Sequence, residues 1–349
     1  MHRLSILIIS VFMSQIALGQ NAYDLDMQTD DWVLTNTPEP GSKEAQLAAA
    51  SKELALGHYQ EAIRLTAIWI VRNKYDPLLA QAHLIHGDAL FAQEYYYESL
   101  FDYEVVAREY YGTLEEIHAN EKELEIAIMF ANGMKKLNWG MRISDATDEA
   151  EELFIRIQER LPNHHLAETA AMELADLYFR TSQMRLANVM YLLFLENFPQ
   201  ASQNKTDKAE AKLVFTRLAT YKGPSFTASG LLDARQELSR LERINRPLAI
   251  TINSKALITR IDESLGQKLL KTAQWYLKTN NPIACEFTVR RLLQKHGDTS
   301  AAIEALEHLV PSFMPLLPPV VLEEVADFYD TYEKTLLMRT PAHNVEVSQ

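Results

Sequence analysis

The sequence is poor in glycine and almost devoid of cysteine. Its 349 residues include 11 glycines and one cysteine. Such a low glycine count suits an all-helical protein and disfavours a β-sandwich or a glycine-rich nucleotide-binding fold. The single thiol, Cys285, cannot form an intrachain disulfide. We expect it to be buried and inert, because free cysteine usually packs as a small hydrophobic residue.

Positive charge and catalytic motifs are also scarce. The chain has 34 Lys and Arg against 47 Asp and Glu, a formal net charge of −13. An acidic chain repels phosphate backbones and anionic lipid, which argues against nucleic-acid binding and against direct adsorption on such membranes. No nucleophile elbow, phosphate-binding loop, dinucleotide glycine motif or His-Glu-x-x-His zinc motif is present. We therefore expect a protein that is not an enzyme and that needs neither a cofactor nor a metal.

The only long apolar run lies at the beginning of the sequence. His2 and Arg3 precede an apolar stretch over residues 4–18, and residues 17–19 (ALG) form a small-x-small cleavage site. This pattern predicts a signal peptide over residues 1–19, cleaved near Gly19 and Gln20. A retained membrane anchor is the alternative, although a spanning helix needs about 20 apolar residues.

A short segment recurs along the chain. Residues 57–62 (GHYQEA) return as residues 94–99 (EYYYES) and again as residues 182–187 (SQMRLA), each between two helical patterns. A repeat spacing in the thirties, with small and aromatic residues at fixed positions, is typical of stacked helical hairpins. One hairpin matches the tetratricopeptide pattern at seven positions: Leu174, Ala175, Tyr178, Ala187, Tyr191, Phe194 and Pro199.

These patterns predict an all-α fold, a right-handed superhelix of five to six tetratricopeptide-like hairpins followed by a C-terminal capping helix. The expected segments are an extended lead over 20–42, the repeat domain over 43–310, a proline-rich connector with the capping helix over 311–338, and a disordered tail over 339–349. Four prolines within residues 311–319 are expected to prevent a helix there. The last helix either caps the final repeat, which solenoids require, or docks another protein.

Residues 89–104, 167–202 and 270–292 carry a resemblance to BamD-like proteins, the tetratricopeptide component of the outer-membrane β-barrel assembly machinery. The resemblance spans roughly residues 43–309. It implies a non-catalytic adaptor in the periplasm or on the periplasmic face of the outer membrane. Its implied partners are an Omp85-type barrel assembly factor and unfolded outer-membrane protein segments. Gln20 stands where lipoproteins of this kind carry their acylated cysteine, so we expect no lipid anchor.

Two other functions remain open. One is a different periplasmic tetratricopeptide scaffold, of the type that coordinates the envelope with Tol–Pal. Such scaffolds usually place a coiled coil before their repeats, and no heptad run precedes the repeats here. The other is an α-helical envelope glycan hydrolase, which the missing catalytic signature disfavours.

The first helices of two predicted hairpins share a pattern that suggests a binding face. Residues 87–91 (GDALF) align with residues 175–179 (ADLYF), so Asp and Phe recur three residues apart on one helix face. If that face lines the groove, phenylalanine would anchor a peptide and the charges would orient it. The candidate peptide-binding residues are Asp88, Phe91, Asp176, Phe179 and Arg180. The alternative is that the phenylalanines pack between helices and the aspartates are merely solvated.

His83 and His86 lie one turn apart without a third metal ligand, and we expect them to pack or to face water.

Overall fold

The computed structural model describes residues 23–26, 31–34, 38–138 and 140–336. The predicted signal peptide and the predicted tail lie outside the described residues. The chain divides into two compact units, Met1–Ala146 and Thr147–Gln349.

The first unit is a series of antiparallel helices with two short β-hairpins. Each helix packs against the next along the chain. In chain order the elements are β1 (Tyr23–Asp26), β2 (Asp31–Leu34), α1 (Lys43–Ala55), α2 (Tyr59–Arg72), α3 (Leu79–Ala92), α4 (Tyr96–Glu109), α5 (Leu114–Ala131), β3 (Lys136–Asn138) and β4 (Met141–Ser144). Strands β1 and β2 pair antiparallel within the predicted extended lead, and β3 pairs antiparallel with β4.

The second unit continues the helical hairpins and ends in a different arrangement. Its α-helices are α6 (Thr147–Arg160), α7 (His165–Arg180), α8 (Met184–Asn197), α9 (Gln203–Ala219), α10 (Ser229–Ile244), α11 (Arg246–Thr251), α12 (Ser254–Lys278), α13 (Pro282–His296), α14 (Ser300–Glu304), α15 (Val310–Phe313) and α16 (Pro319–Leu336). A π-helical turn, Ala305–Leu309, joins α14 to α15, and a 3₁₀ turn, Met314–Leu316, follows α15. Both units confirm the predicted all-α class and its construction from tetratricopeptide-like hairpins.

The recurring segment is the turn between the two helices of a hairpin. Its first residue has a left-handed backbone in each copy, with φ of +78° at Gly57, +64° at Glu94 and +62° at Ser182. At the last of these, the amide of Ser182 donates to Phe179 O and the amide of Gln183 donates to Tyr178 O. This pair of bonds is a Schellman motif, which satisfies the last carbonyls of the first helix. Asn280, with φ +58°, repeats the turn between α12 and α13.

A small buried residue follows each of these turns. Ala62, Ser99, Ala187 and Cys285 occupy the same position and are fully buried. A small side chain there lets the two helices of the hairpin approach closely. Burial, with a smaller contribution from Glu286, raises the pKa of the Cys285 thiol to about 11. The expected burial of this cysteine is confirmed.

The proline-rich segment differs from expectation, and the prediction that it excludes helix is wrong. Pro311 lies in the first turn of α15, Pro315 lies in the 3₁₀ turn, and Pro319 begins α16. Proline lacks an amide hydrogen, but the first turn of a helix needs no such donor, so the beginning of α16 tolerates Pro319. The π-helical turn before Pro311 shifts the hydrogen-bond register from i→i+4 to i→i+5 at the junction.

The last helix covers the end of the second unit. Val325 and Tyr329 of α16 are buried in one apolar cluster with Val289 of α13 and Phe313 of α15. The Tyr329 hydroxyl also donates to Glu286 Oε1 at 3.2 Å. These contacts fit the capping role that the end of a repeat array requires.

Candidate functional site: two aspartate clusters

Asp88 lies in α3, where it joins two neighbouring helices. The hydroxyl of Tyr103, a fully buried residue of α4, donates to Asp88 Oδ1 at 2.7 Å. On its other side, Asp88 Oδ2 lies 3.2 Å from Nε2 of His118 in α5. Gly87 makes room for this contact, because a Cβ atom there would lie 2.9 Å from the Tyr103 ring. Burial first, and then the charge of Asp88, raise the pKa of the Tyr103 phenol far above its usual range.

Asp176 has the same arrangement in α7. The Tyr191 hydroxyl of α8 donates to Asp176 Oδ1, and Lys208 Nζ of α9 donates to Asp176 Oδ2, both at 2.5 Å. Each aspartate therefore accepts from the tyrosine of its own hairpin and lies beside a basic side chain of the following helix, His118 or Lys208. Charge-assisted hydrogen bonds of this kind are stronger than neutral ones.

The two phenylalanines also meet cations from the following helix. Lys122 Nζ lies 4.4 Å from the centroid of the Phe91 ring, and Lys212 Nζ lies 3.8 Å from that of Phe179. Both distances suit a cation–π interaction. We name the Asp88 cluster by its residues Asp88, Phe91, Tyr103, His118 and Lys122. The Asp176 cluster comprises Asp176, Phe179, Tyr191, Lys208 and Lys212.

The structure thus gives four of the five predicted binding residues, all but Arg180, a structural role. The Asp88 and Asp176 side chains are 26% and 11% exposed, so the alternative that they are merely solvated fails for both. Phe91 and Phe179 are half-buried and Arg180 is exposed. Their part in peptide binding stays a prediction.

Four basic residues of the clusters were missed in the sequence. His118 and Lys122 are four residues apart, as are Lys208 and Lys212, so each pair lies on one face of its helix. The spacing was a usable signal, because each pair begins 30 or 32 residues after the aspartate that it meets. Aligning the helices that follow the two hairpins would have revealed it.

The neighbouring histidines form a separate group in the same hairpin. Nδ1 of His83 and Nδ1 of His86 lie 2.7 and 2.6 Å from the two carboxylate oxygens of Asp102 in α4. Burial alone would raise the pKa of Asp102, but the hydrogen bonds from both histidines outweigh it and hold that pKa below its usual value. Within the described residues, no group of His, Cys, Asp or Glu side chains could hold a metal ion.

Two glutamates on helix faces, Glu116 and Glu151, take part in local structure. Glu116 Oε2 accepts from the amide of Gly112 at 2.6 Å, just before α5 begins. Glu151 accepts from the Tyr178 hydroxyl at 2.8 Å. Neither arrangement resembles a pair of carboxylates facing each other across a substrate cleft.

A comparison with known protein families identifies the family of this chain. The family model YfiO, described as outer membrane lipoprotein, matches residues 127–321, more than half of the chain. The match includes two of the three stretches that carry the BamD resemblance, 167–202 and 270–292, and begins after the third. No curated protein matches the chain. In the described part of the chain, every helix is too short or too polar to cross a membrane. The chain therefore belongs to the YfiO family of outer membrane lipoproteins, the family of BamD.

Proposed function

We propose that the chain is an exported, non-catalytic adaptor of outer-membrane β-barrel assembly. The family match over residues 127–321 carries this proposal, since the family is a scaffold family and not one of enzymes. Helical hairpins suit the role, because stacked repeats offer extended surfaces rather than enclosed catalytic pockets. The proposed partners are an Omp85-type barrel factor and unfolded outer-membrane protein segments.

The two aspartate clusters would let such a surface bind without reorganising. The Asp88 cluster joins α3 to α5, and the Asp176 cluster joins α7 to α9. The side chains between the joined helices are therefore held in place before a partner binds. Preorganisation of this kind lowers the entropic cost of association. We propose that the predicted residues of each unit also contact bound peptide through their exposed parts: Asp88 and Phe91 in the first unit, and Asp176, Phe179 and Arg180 in the second.

Membrane association is proposed to run through protein partners. The one thiol of the sequence, Cys285, is fully buried in α13 and has a raised pKa, so it is a poor site for acylation. A chain held this way would leave the membrane fraction when its partner is removed. Salt washing would not by itself release it if the partner interface is largely apolar.

The test is co-purification from envelope fractions in mild detergent. The tagged chain is expected to bring down an Omp85-type barrel protein. Recovery of Tol–Pal components in its place would support the other scaffold class, and turnover of peptidoglycan by the purified chain would overturn the non-catalytic assignment.

A further inference from the structure

A row of polar and aromatic side chains runs along one face of α12. Ser264, Lys268, Lys271, Trp275 and Lys278 follow one another at alternating spacings of four and three residues, so they share one side of the helix. The part from Lys268 to Lys278 is about 15 Å long. Alternating spacings of three and four residues are those with which two helices pack side by side.

Large apolar side chains of this row are open to solvent. Trp275 is 58% exposed, although tryptophan is usually largely buried. Phe226, in the connection between α9 and α10, is 54% exposed, and its backbone oxygen accepts from Lys268 Nζ at 2.6 Å. This bond places Phe226 at the other end of the row. Exposed aromatic rings of this kind are the usual anchors of protein interfaces.

The two lysines on either side of Trp275 have no counter-ion. Lys271 and Lys278 are exposed, and neither ammonium group forms a hydrogen bond or an ion pair with another described residue. The carboxylates beside the row have other partners. Glu263 accepts from the amide of Ser300 at 2.9 Å, and Glu304 accepts from the side chain of Gln274 at 3.3 Å.

The charge of this segment is opposite to that of the chain. Residues 264–285 contain three lysines and no acidic residue, whereas the whole chain has a net charge of −13. A narrow acidic partner that follows α12 is attracted by the lysines and stays clear of most of the acidic surface. An extended anionic lipid surface would also be repelled by the rest of the chain. The charge distribution therefore favours a linear acidic partner.

We propose that this row binds an acidic amphipathic helix of a partner protein, packed alongside α12. Glutamates of the partner pair with Lys271 and Lys278, and apolar residues between them cover Trp275. Lys271 and Lys278 are seven residues apart, so carboxylates seven residues apart on one face of a helix match their positions. The inference rests on the proposed function, because an adaptor acts by binding other proteins, and it names the chemistry of one such partner.

The probe is a fluorescent synthetic helix with leucine and glutamate on one face, at spacings of three and four residues. One control peptide has glutamine in place of glutamate. Another has the same composition as the probe, with its leucines and glutamates spread around the helix. The full chain is expected to bind the probe about tenfold more tightly than either control, and the difference should shrink as salt is added. Equal binding of the three peptides would overturn the proposal.

A charge reversal on α12 locates the site. Lys271→Glu is expected to weaken binding of the probe about tenfold. Lys255→Glu is the matched control, because Lys255 is exposed on the opposite face of the same helix, and it should leave binding unchanged. A probe with lysine in place of glutamate should bind Lys271→Glu more tightly than wild type, a gain that misfolding cannot produce. Wild-type affinity in Lys271→Glu, or an equal loss in Lys255→Glu, would contradict the assignment.

A second pair of variants tests the aromatic contact. Trp275→Ser should weaken binding of the probe about tenfold. Phe287→Ser removes a ring that is 61% exposed on α13, against 58% for Trp275, and should leave binding unchanged. The same affinity in both variants would remove Trp275 from the site.

Vesicles of anionic phospholipid test the other class of partner. We expect no binding of such vesicles to the full chain. Vesicle binding that Lys271→Glu abolishes, together with equal binding of the three peptides, would assign the row to a membrane surface and overturn the proposal.

The proposal and the proposed function fail separately. If the chain co-purifies with a barrel assembly factor but the acidic probe does not bind, the α12 inference is overturned and the adaptor role stands. If the probe binds at α12 but no assembly factor co-purifies, the role in barrel assembly is overturned while the acidic-helix site is supported.

Discussion

The hydroxyl of Tyr191 donates a hydrogen bond to Asp176 across two helices of one hairpin, and neither side chain is more than slightly exposed. The same contact joins Tyr103 to Asp88 in the first unit. Each tyrosine follows its aspartate by 15 residues. The pair is therefore a repeated feature of the hairpins, and its strength is open to direct measurement.

Replacing Tyr191 with phenylalanine keeps the ring and removes the donor. Asp176 then loses one of its partners in a buried site, and we expect the free energy of unfolding to fall by about 1–3 kcal/mol. Chemical denaturation of wild type and variant measures the change. Tyr97→Phe, at a ring that is 37% exposed, is the matched control and should change stability by less than about 0.5 kcal/mol. Equal losses in the two variants would contradict a special role for the Tyr191 hydroxyl.

Ser182→Gly should stabilise the hairpin of α7 and α8. Ser182 is exposed and has φ +62°, a left-handed conformation that favours glycine. Relief of this strain is worth about 1–2 kcal/mol and is partly offset by the greater freedom of glycine when unfolded, so we expect a net gain of about 0.5–1 kcal/mol. The reciprocal change, Gly57→Ala in the first hairpin, should destabilise the chain. Thermal melts of both variants check the pair, and a loss of stability in Ser182→Gly would refute the argument.

The pKa of His118 should lie above its ordinary value. The hydrogen bond to Asp88 is the main cause of its raised pKa. Because the folded value exceeds the unfolded value of about 6.5, the stabilisation is fully present below that pH and is lost as the pH rises through the folded pKa. Nuclear magnetic resonance titration of the His118 ring measures the shift. Asp88→Asn should lower the His118 pKa, and an unchanged value in that variant would assign the shift to another group.

Cys285 should resist thiol reagents in the native protein. The thiolate is the reactive species, and a pKa of about 11 leaves very little of it at neutral pH. Burial in α13 adds a barrier to access. A colorimetric thiol assay should therefore show slow reaction until denaturant is added. Rapid reaction without denaturant would show that α13 opens readily.

Much of the fold could be predicted because small and aromatic residues recur at fixed positions in each repeat. The turn at Gly57, the small residue at Ala187 and the aromatic residues of α8 have fixed spacings, and the helices begin and end where these spacings require. Proline was harder to interpret. Pro311 was expected to exclude helix. The effect of a proline depends on whether its position needs an amide donor, and the π-helical turn before Pro311 changes the hydrogen-bond pattern there.

The candidate site was only half visible in the sequence. Asp88 and Asp176 stood out because they share an offset within their own hairpins. Their basic neighbours His118 and Lys208 lie one hairpin further and differ in residue type, so only the four-residue spacing to Lys122 and Lys212 marks them. The β3–β4 hairpin has no counterpart in the repeat pattern, and its contact between Arg142 and Glu94 joins residues 48 positions apart.

The bridging position of Asp176 has a consequence for how the second unit melts. One carboxylate belongs both to the pairing of α7 with α8 and to the pairing of that hairpin with α9. In a linear array, the coupling between neighbouring repeats decides whether they unfold together or one by one. Neutralising Asp176 would therefore uncouple adjacent repeats as well as weaken one of them, and a single sharp transition would broaden into successive steps.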